Sequence, residues 1–140
     1  MVKTAYIYRI ETAKKTAFAD LLIVKKEGKL IWSPSFGYEC GSHMYQGGAW
    51  DEIKSEDIAI KKFIEKALDF FKYADFDMQV QINAKNEMLK LLQPTLFGLP
   101  VMKKINKAFC KRCDHIIDEG EEICRMCQYE IERTKTVSNG

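Results

Sequence analysis

The sequence predicts an α+β protein: an antiparallel β-sheet covered by one main helix, with a small cysteine-rich module at the C-terminus. Three observations predict it. The first forty residues pattern as strands, alternating apolar and polar side chains over Tyr6–Glu11 and β-rich after it, broken by short turn-forming stretches. A stretch near the middle repeats its apolar residues at helical spacing. Four of the five cysteines fall in two Cys-x-x-Cys pairs close to the end.

The elements follow in order. "TAYIYRIE" sets Tyr6, Tyr8 and Ile10 against Ile7, Arg9 and Glu11, which is strand periodicity. A short "TAKK" break precedes the β-rich "TAFADLLIVKK". "KKEGK", Lys25 to Lys29, places Gly28 where a hairpin turn needs positive φ. "KLIWSPSFGYEC" returns as a third strand, and Pro34, which has no N–H to donate, marks it as an edge or a bulge. Gly41 to Glu52 is glycine-rich and reads as a loop, or a short fourth strand with a loop. Together these residues describe a meander.

The helix starts after Ser55, a good N-cap, with Glu56 and Asp57 at the positive end of its dipole. Ile60, Phe63, Ile64, Ala67, Leu68 and Phe71 make one apolar stripe, which should lie on the sheet. In "DFDMQVQIN" Phe76, Met78, Val80 and Ile82 alternate with polar residues. That favours a strand or a break over one helix running from Ser55 to Gln93. "AKNEMLKLLQ" is a short helix ended by Pro94. The expected organisation is an α+β domain over 1–93, a linker over 94–108, and the cysteine module with its tail over 109–140.

At 140 residues the chain is one domain, or one domain with a small appendage. Its 22 basic and 20 acidic residues leave a net charge of +2, which does not announce a nucleic-acid binder, although local clusters matter more than totals. No apolar run approaches the roughly 20 residues of a membrane span. The start has no apolar signal-peptide core, so the cytoplasm, or a host cytoplasm, is the expected compartment. In such a chain the cysteine spacing reads as metal rather than disulfide.

Cys110, Cys113, Cys124 and Cys127 follow the pattern C-x2-C-x10-C-x2-C. Each pair offers two thiolates to one side of an ion, and a hairpin through Glu119–Gly120 brings the second pair back to complete a tetrahedron. The expected ion is Zn²⁺. Four thiolates leave no open position for an activated water, so its role is structural. About thirty residues cannot build a core, and metal binding supplies folding energy in its place. Two pairs outside a βαβ context do not suggest redox chemistry.

Phe109 to Tyr129, with its paired knuckles and the "I-x-x-G" hairpin at Ile117–Gly120, resembles the zinc-ribbon family. It departs from the common pattern in carrying Asp114 and Gln128 where glycine often follows each knuckle. A helix in "QYEIERTK" would bring the module closer to a treble clef.

Lys103, Lys104, Lys107, Lys111 and Arg112 make the approach to the cysteines basic, while Asp114, Asp118, Glu119, Glu121 and Glu122 make the hairpin acidic. The approach suits nucleic acid and the hairpin suits a protein. Tyr45 and Trp50, in a glycine-rich loop, are candidates to stack on bases. "QPTLF" resembles the peptide by which bacterial replication and repair proteins dock on the sliding clamp, with Gln93 as polar anchor and Leu96 and Phe97 as apolar plugs. Cys40 and His43 have ligand-like spacing without two further ligands nearby, and Asp75 and Asp77 form a weak Mg²⁺ pattern without a base or a lysine partner. No phosphate-binding loop or deaminase motif occurs, so no catalysis is expected. The N-terminal hundred residues, with their "G-x-x-x-x-x-G-G-x-W" loop from Gly41 to Trp50, are faintly similar to small uncharacterised phage and plasmid proteins. The expected function is a non-enzymatic accessory protein in nucleic-acid transactions that docks on a protein partner through its cysteine module. The alternative is a phage-type inhibitor or adaptor of a host enzyme without nucleic-acid contact.

Overall fold

The computed structural model describes residues 3–38, 44–46, 51–73, 78–94 and 98–138, with backbone alone at 44–46 and 136–138. It is α+β and divides into two compact units, Met1–Ile105 and Asn106–Gly140. Among the described residues no helix is long and apolar enough to cross a membrane.

The first unit is built on the expected meander. Strands β1 (Thr4–Glu11), β2 (Ala17–Lys26) and β3 (Lys29–Tyr38) pair antiparallel, with Tyr6 opposite Ile23 and Ile23 opposite Trp32. Glu27 and Gly28 make the β2–β3 turn with φ of 53° and 75°. Two successive left-handed residues suit the right-handed twist of the strands they join, and glycine lowers the strain of the second.

Two short strands, β4 (Met44–Gln46) and β5 (Asp51–Glu52), both pair with β3. They engage Ser35–Gly37 and Ile31–Trp32, and Pro34 falls in the gap between these ladders. On the other side its pairing with Leu21 continues without a bulge. Pro34 therefore marks neither an edge nor a bulge. Its missing N–H coincides with an interruption in the outer pairing.

Helix α1 (Glu56–Tyr73) starts as expected, with the Ser55 hydroxyl accepting from the Ile58 N–H at 3.2 Å. Ile60, Phe63, Ala67 and Phe71 are buried, and Ile64 and Leu68 pack partly buried beside them. One main helix is not what covers the sheet. Helix α2 (Gln79–Leu91) shares the work, burying Ala84, Met88 and the following Leu92. These positions are four apart, the spacing of one helical face.

Of the strand or break expected over 75–83, a strand does not form from Gln79 onward, whereas the helix is broken, with α1 ending at Tyr73 and α2 beginning at Gln79. Met78 is extended, with φ −84° and ψ 135°, and the helix begins directly after it. Met78 and Val80 are exposed, so their alternation with polar residues did not mark a buried sheet face. Asp75, Phe76 and Asp77 lie outside the described residues.

Both helices pack on the sheet face that carries Tyr6, Ile10, Ala19, Leu21, Ile23, Trp32 and Phe36. Phe36 stacks on Phe63 with ring centroids 5.8 Å apart, and Phe71 meets Tyr38 edge-on at 5.4 Å. A fully buried phenylalanine such as Phe63 contributes about 2–3 kcal/mol over an exposed one.

Strand β6 (Lys103–Phe109) is β1's neighbour in the strand order and runs on into the second unit. There it pairs antiparallel with β7 (Ile116–Asp118), and helix α3 (Arg125–Ser138) follows. The buried cluster of this unit is Cys110, Ile117, Cys124 and Cys127, with Ala108 and Ile123 partly buried against it.

Candidate metal centre

The first cysteine pair sits in a tight turn after β6. The Cys110 N–H donates to the His115 carbonyl at 2.7 Å, and the Asp114 N–H donates to the Cys110 carbonyl at 2.9 Å. Asp114 takes φ of 68°, the left-handed conformation that glycine adopts without strain and aspartate tolerates better than most residues. The turn thus forms at Asp114 despite the departure from glycine.

The second pair is built differently. Cys124 precedes α3 and Cys127 lies in its first turn, so Gln128 is helical and needs no left-handed backbone. Its side-chain amide donates to the Ile123 carbonyl at 3.0 Å. A turn, a hairpin and a helix therefore carry the four sulfurs.

Those sulfurs converge. One ligand atom from each cysteine lies within 4.8 Å of all the others. Cys110 Sγ is 3.8 Å from Cys127 Sγ, and Cys113 Sγ is 3.4 Å from Cys124 Sγ. A tetrahedral four-thiolate site with bonds of about 2.3 Å has its sulfurs about 3.8 Å apart. The four are free thiols, so the cluster is not a pair of disulfides. The residues fit a metal ion and resemble a ribbon-like module.

The surroundings treat the sulfurs unequally. Burial opposes ionisation of Cys110, but backbone N–H groups of Cys113, Cys124 and Arg112 turned on its sulfur outweigh it and bring the thiol down to about 6. Burial and the neighbouring sulfurs push Cys127 up to about 12. Four sulfurs this close cannot all carry charge without a cation among them, so ligation by all four displaces their protons.

Three cations of the expected basic approach stand beside carboxylates. Lys107 stands opposite Asp118 across the β6–β7 ladder and pairs with it. Lys111 pairs with Glu122 at 3.3 Å. Arg112 pairs with Glu130 on α3 at 3.3 Å and donates to the Cys127 carbonyl at 3.1 Å. Two of these pairs join the approach to the hairpin, and the third joins it to α3.

Lys104 lies in the first unit, with its Nζ 4.3 Å from the centre of the Tyr6 ring. Lys25 reaches the same ring at 5.7 Å. Behind it the Tyr6 hydroxyl donates to Glu56 at 2.9 Å, and Tyr8 donates to the same carboxylate oxygen. Burial alone would raise the Glu56 pKa, but the two hydroxyls, with Lys25 and Lys104 near, hold it below its usual value. Burial and Glu56 push the Tyr8 hydroxyl up to about 12. The fold brings Lys25 and Glu56, distant in sequence and without a local signal, beside Lys104.

Of the other candidates, Gln93 is exposed, and its side-chain amide donates to the Leu89 carbonyl at 3.1 Å near the end of α2. The backbone of Tyr45 is in β4. Leu96, Phe97, Trp50, Cys40 and His43 lie outside the described residues. His115, which the sequence reading passed over, places Nδ1 3.0 Å from Cys113 Sγ. Its signal was its position two residues after a ligand. Compared with known protein families, with curated proteins and with solved structures, the chain gives no significant match.

Proposed function

We propose that this chain is a non-enzymatic protein-interaction module, an adaptor or inhibitor of another protein, whose C-terminal unit is held by a structural Zn²⁺. The observation that carries this reading is the ion pairing of Lys107, Lys111 and Arg112 with Asp118, Glu122 and Glu130. Carboxylates beside these cations offset part of the positive field that a phosphate would meet. The second unit holds six basic and seven acidic residues, so it is net negative before any metal binds. A divalent ion on four thiolates adds roughly two further negative charges. That balance favours a protein surface over a phosphate backbone. Four thiolates also close the coordination sphere, which supports a structural role for the ion.

A pull-down with the full chain before and after nuclease treatment tests this. The expected result is a partner that survives the nuclease. Loss of every partner on treatment would remove the proposal.

A second reading, an accessory role in nucleic-acid transactions, is favoured by the convergence of Lys25 and Lys104 on the Tyr6 ring. It predicts binding to single-stranded nucleic acid that weakens steeply with salt and weakens further in Lys104→Ala. Salt-independent binding, or none, would remove it.

A further inference from the structure

The four cysteines differ in how far solvent reaches them. Cys110, Cys124 and Cys127 are 2%, 9% and 5% exposed, whereas Cys113 is exposed. They also differ in the donors turned on them. Cys110 is buried under backbone N–H groups, with the Cys124 N–H 3.3 Å from its sulfur and the Cys113 N–H 3.5 Å from it. Cys113 accepts from the His115 backbone N–H and meets the exposed imidazole of the same residue, Nδ1, at 3.0 Å. With Cys113 as the thiolate that an ion requires, that nitrogen is the donor.

A metal-bound thiolate keeps lone pairs and remains nucleophilic where a reagent can reach it. Hydrogen bonds to the sulfur draw on those lone pairs and lower its reactivity. Exposure therefore selects Cys113 for attack, and His115 damps the attack.

We propose that Cys113 is a covalent modification site for soft electrophiles, specifically α,β-unsaturated carbonyl compounds, and that its modification opens the metal centre. This rests on the metal reading above. The sulfur lone pair adds to the β-carbon of the acceptor, forming a C–S bond. The carbon–carbon π bond breaks, and its electrons pass through the enolate to the α-carbon, which takes a proton from water. No oxidant or reductant is needed. The product thioether is a poor ligand for the ion, which is left on three thiolates and escapes to a competing chelator. His115 is a positioning residue here, since it acts through the sulfur.

The competing target is Cys124, which lines a groove of about 470 Å³ together with His115, Ile116 and Met126. Its slight exposure places it behind Cys113.

The test treats the zinc-loaded full chain with limiting N-ethylmaleimide. Peptide mapping follows each cysteine, with Cys40 scored separately, and a chromogenic chelator reads zinc release. Zinc content is measured first. The expected result is one zinc per chain, a first adduct on Cys113 at least several-fold ahead of the other three ligands, and zinc release in step with it. His115→Ala should speed the adduct several-fold, and His115→Asn, which keeps an N–H donor, should restore the slower rate. A first adduct on Cys124 or Cys127, or equal rates at all four, overturns the proposal while leaving the metal reading intact. A chain that holds no zinc overturns both. An unchanged rate in His115→Ala removes the damping role.

Discussion

The two units of this chain are held together by different physics. The first buries a continuous apolar cluster in which three strands and two helices contribute large side chains, among them Phe36, Phe63, Phe71, Leu21 and Met88. The second buries Ile117 and three sulfurs, with Ala108 and Ile123 partly covered. A few small apolar groups do not offset the entropy of ordering some thirty residues. Side-chain ligation to an ion does, at about 10–16 kcal/mol in small peptides. Stability in the first unit is thus spread over many contacts; in the second, with the proposed ion bound, it is concentrated in four bonds.

The sharpest way to break that comparison is to remove one ligand. Cys110→Ser should abolish stoichiometric metal binding and unfold the second unit, a loss on the order of 10 kcal/mol. The melting transition of the first unit should stay where it was. Metal analysis and calorimetry on the full chain check both halves.

The converse is Phe63→Ala, which leaves a cavity between α1 and the sheet. It should destabilise the first unit by about 3–5 kcal/mol in chemical denaturation and leave the metal content unchanged. A parallel loss of metal would mean that the two units do not stand separately.

Smaller again is the effect of the Glu56 carboxylate. Its folded pKa lies below its unfolded value, so the unfolded chain binds more protons in that window. Its stabilising contribution is complete above the ordinary carboxylate range and disappears as pH falls through the folded pKa. Tyr8→Phe removes one donor and should cost the first unit about 1 kcal/mol at neutral pH. In Glu56→Gln the dependence of stability on pH on the acid side should flatten.

The smallest effect belongs to the surface ion pairs of the second unit. Lys111→Ala breaks an exposed pair with Glu122 and should change stability by no more than about 0.5 kcal/mol. A larger loss, measured by metal-release equilibrium, would give the surface of this unit more weight than its sulfurs leave for it.

Much of this was legible in the sequence because the signals were local. The alternation of Tyr6, Tyr8 and Ile10, the Gly28 turn, the Ser55 cap and the stripe from Ile60 to Phe71 each depend on neighbours within a few residues. The cysteine spacing was legible because ligation restricts it to few patterns. Two other features were not. The start of α2 was obscured by Met78 and Val80, whose alternation mimics a strand while both are exposed; Ala84 and Met88, packing against the sheet, decide the helix. The charge pairing of the second unit was hidden because Lys107 and Asp118, like Lys111 and Glu122, are eleven residues apart. Only the hairpin brings them together, so the linear segregation of charge carried no information about which charges face solvent unpaired.

The central claim is that an ion, and not a core, holds the second unit while the first stands without it. Amide hydrogen exchange on the full chain, zinc-loaded and then stripped by a strong chelator, tests it most directly. The account predicts that protection vanishes over β7 and α3 and persists over β1, β2, β3 and α1. Protection lost throughout the chain, or retained over β7 and α3 after stripping, would contradict it.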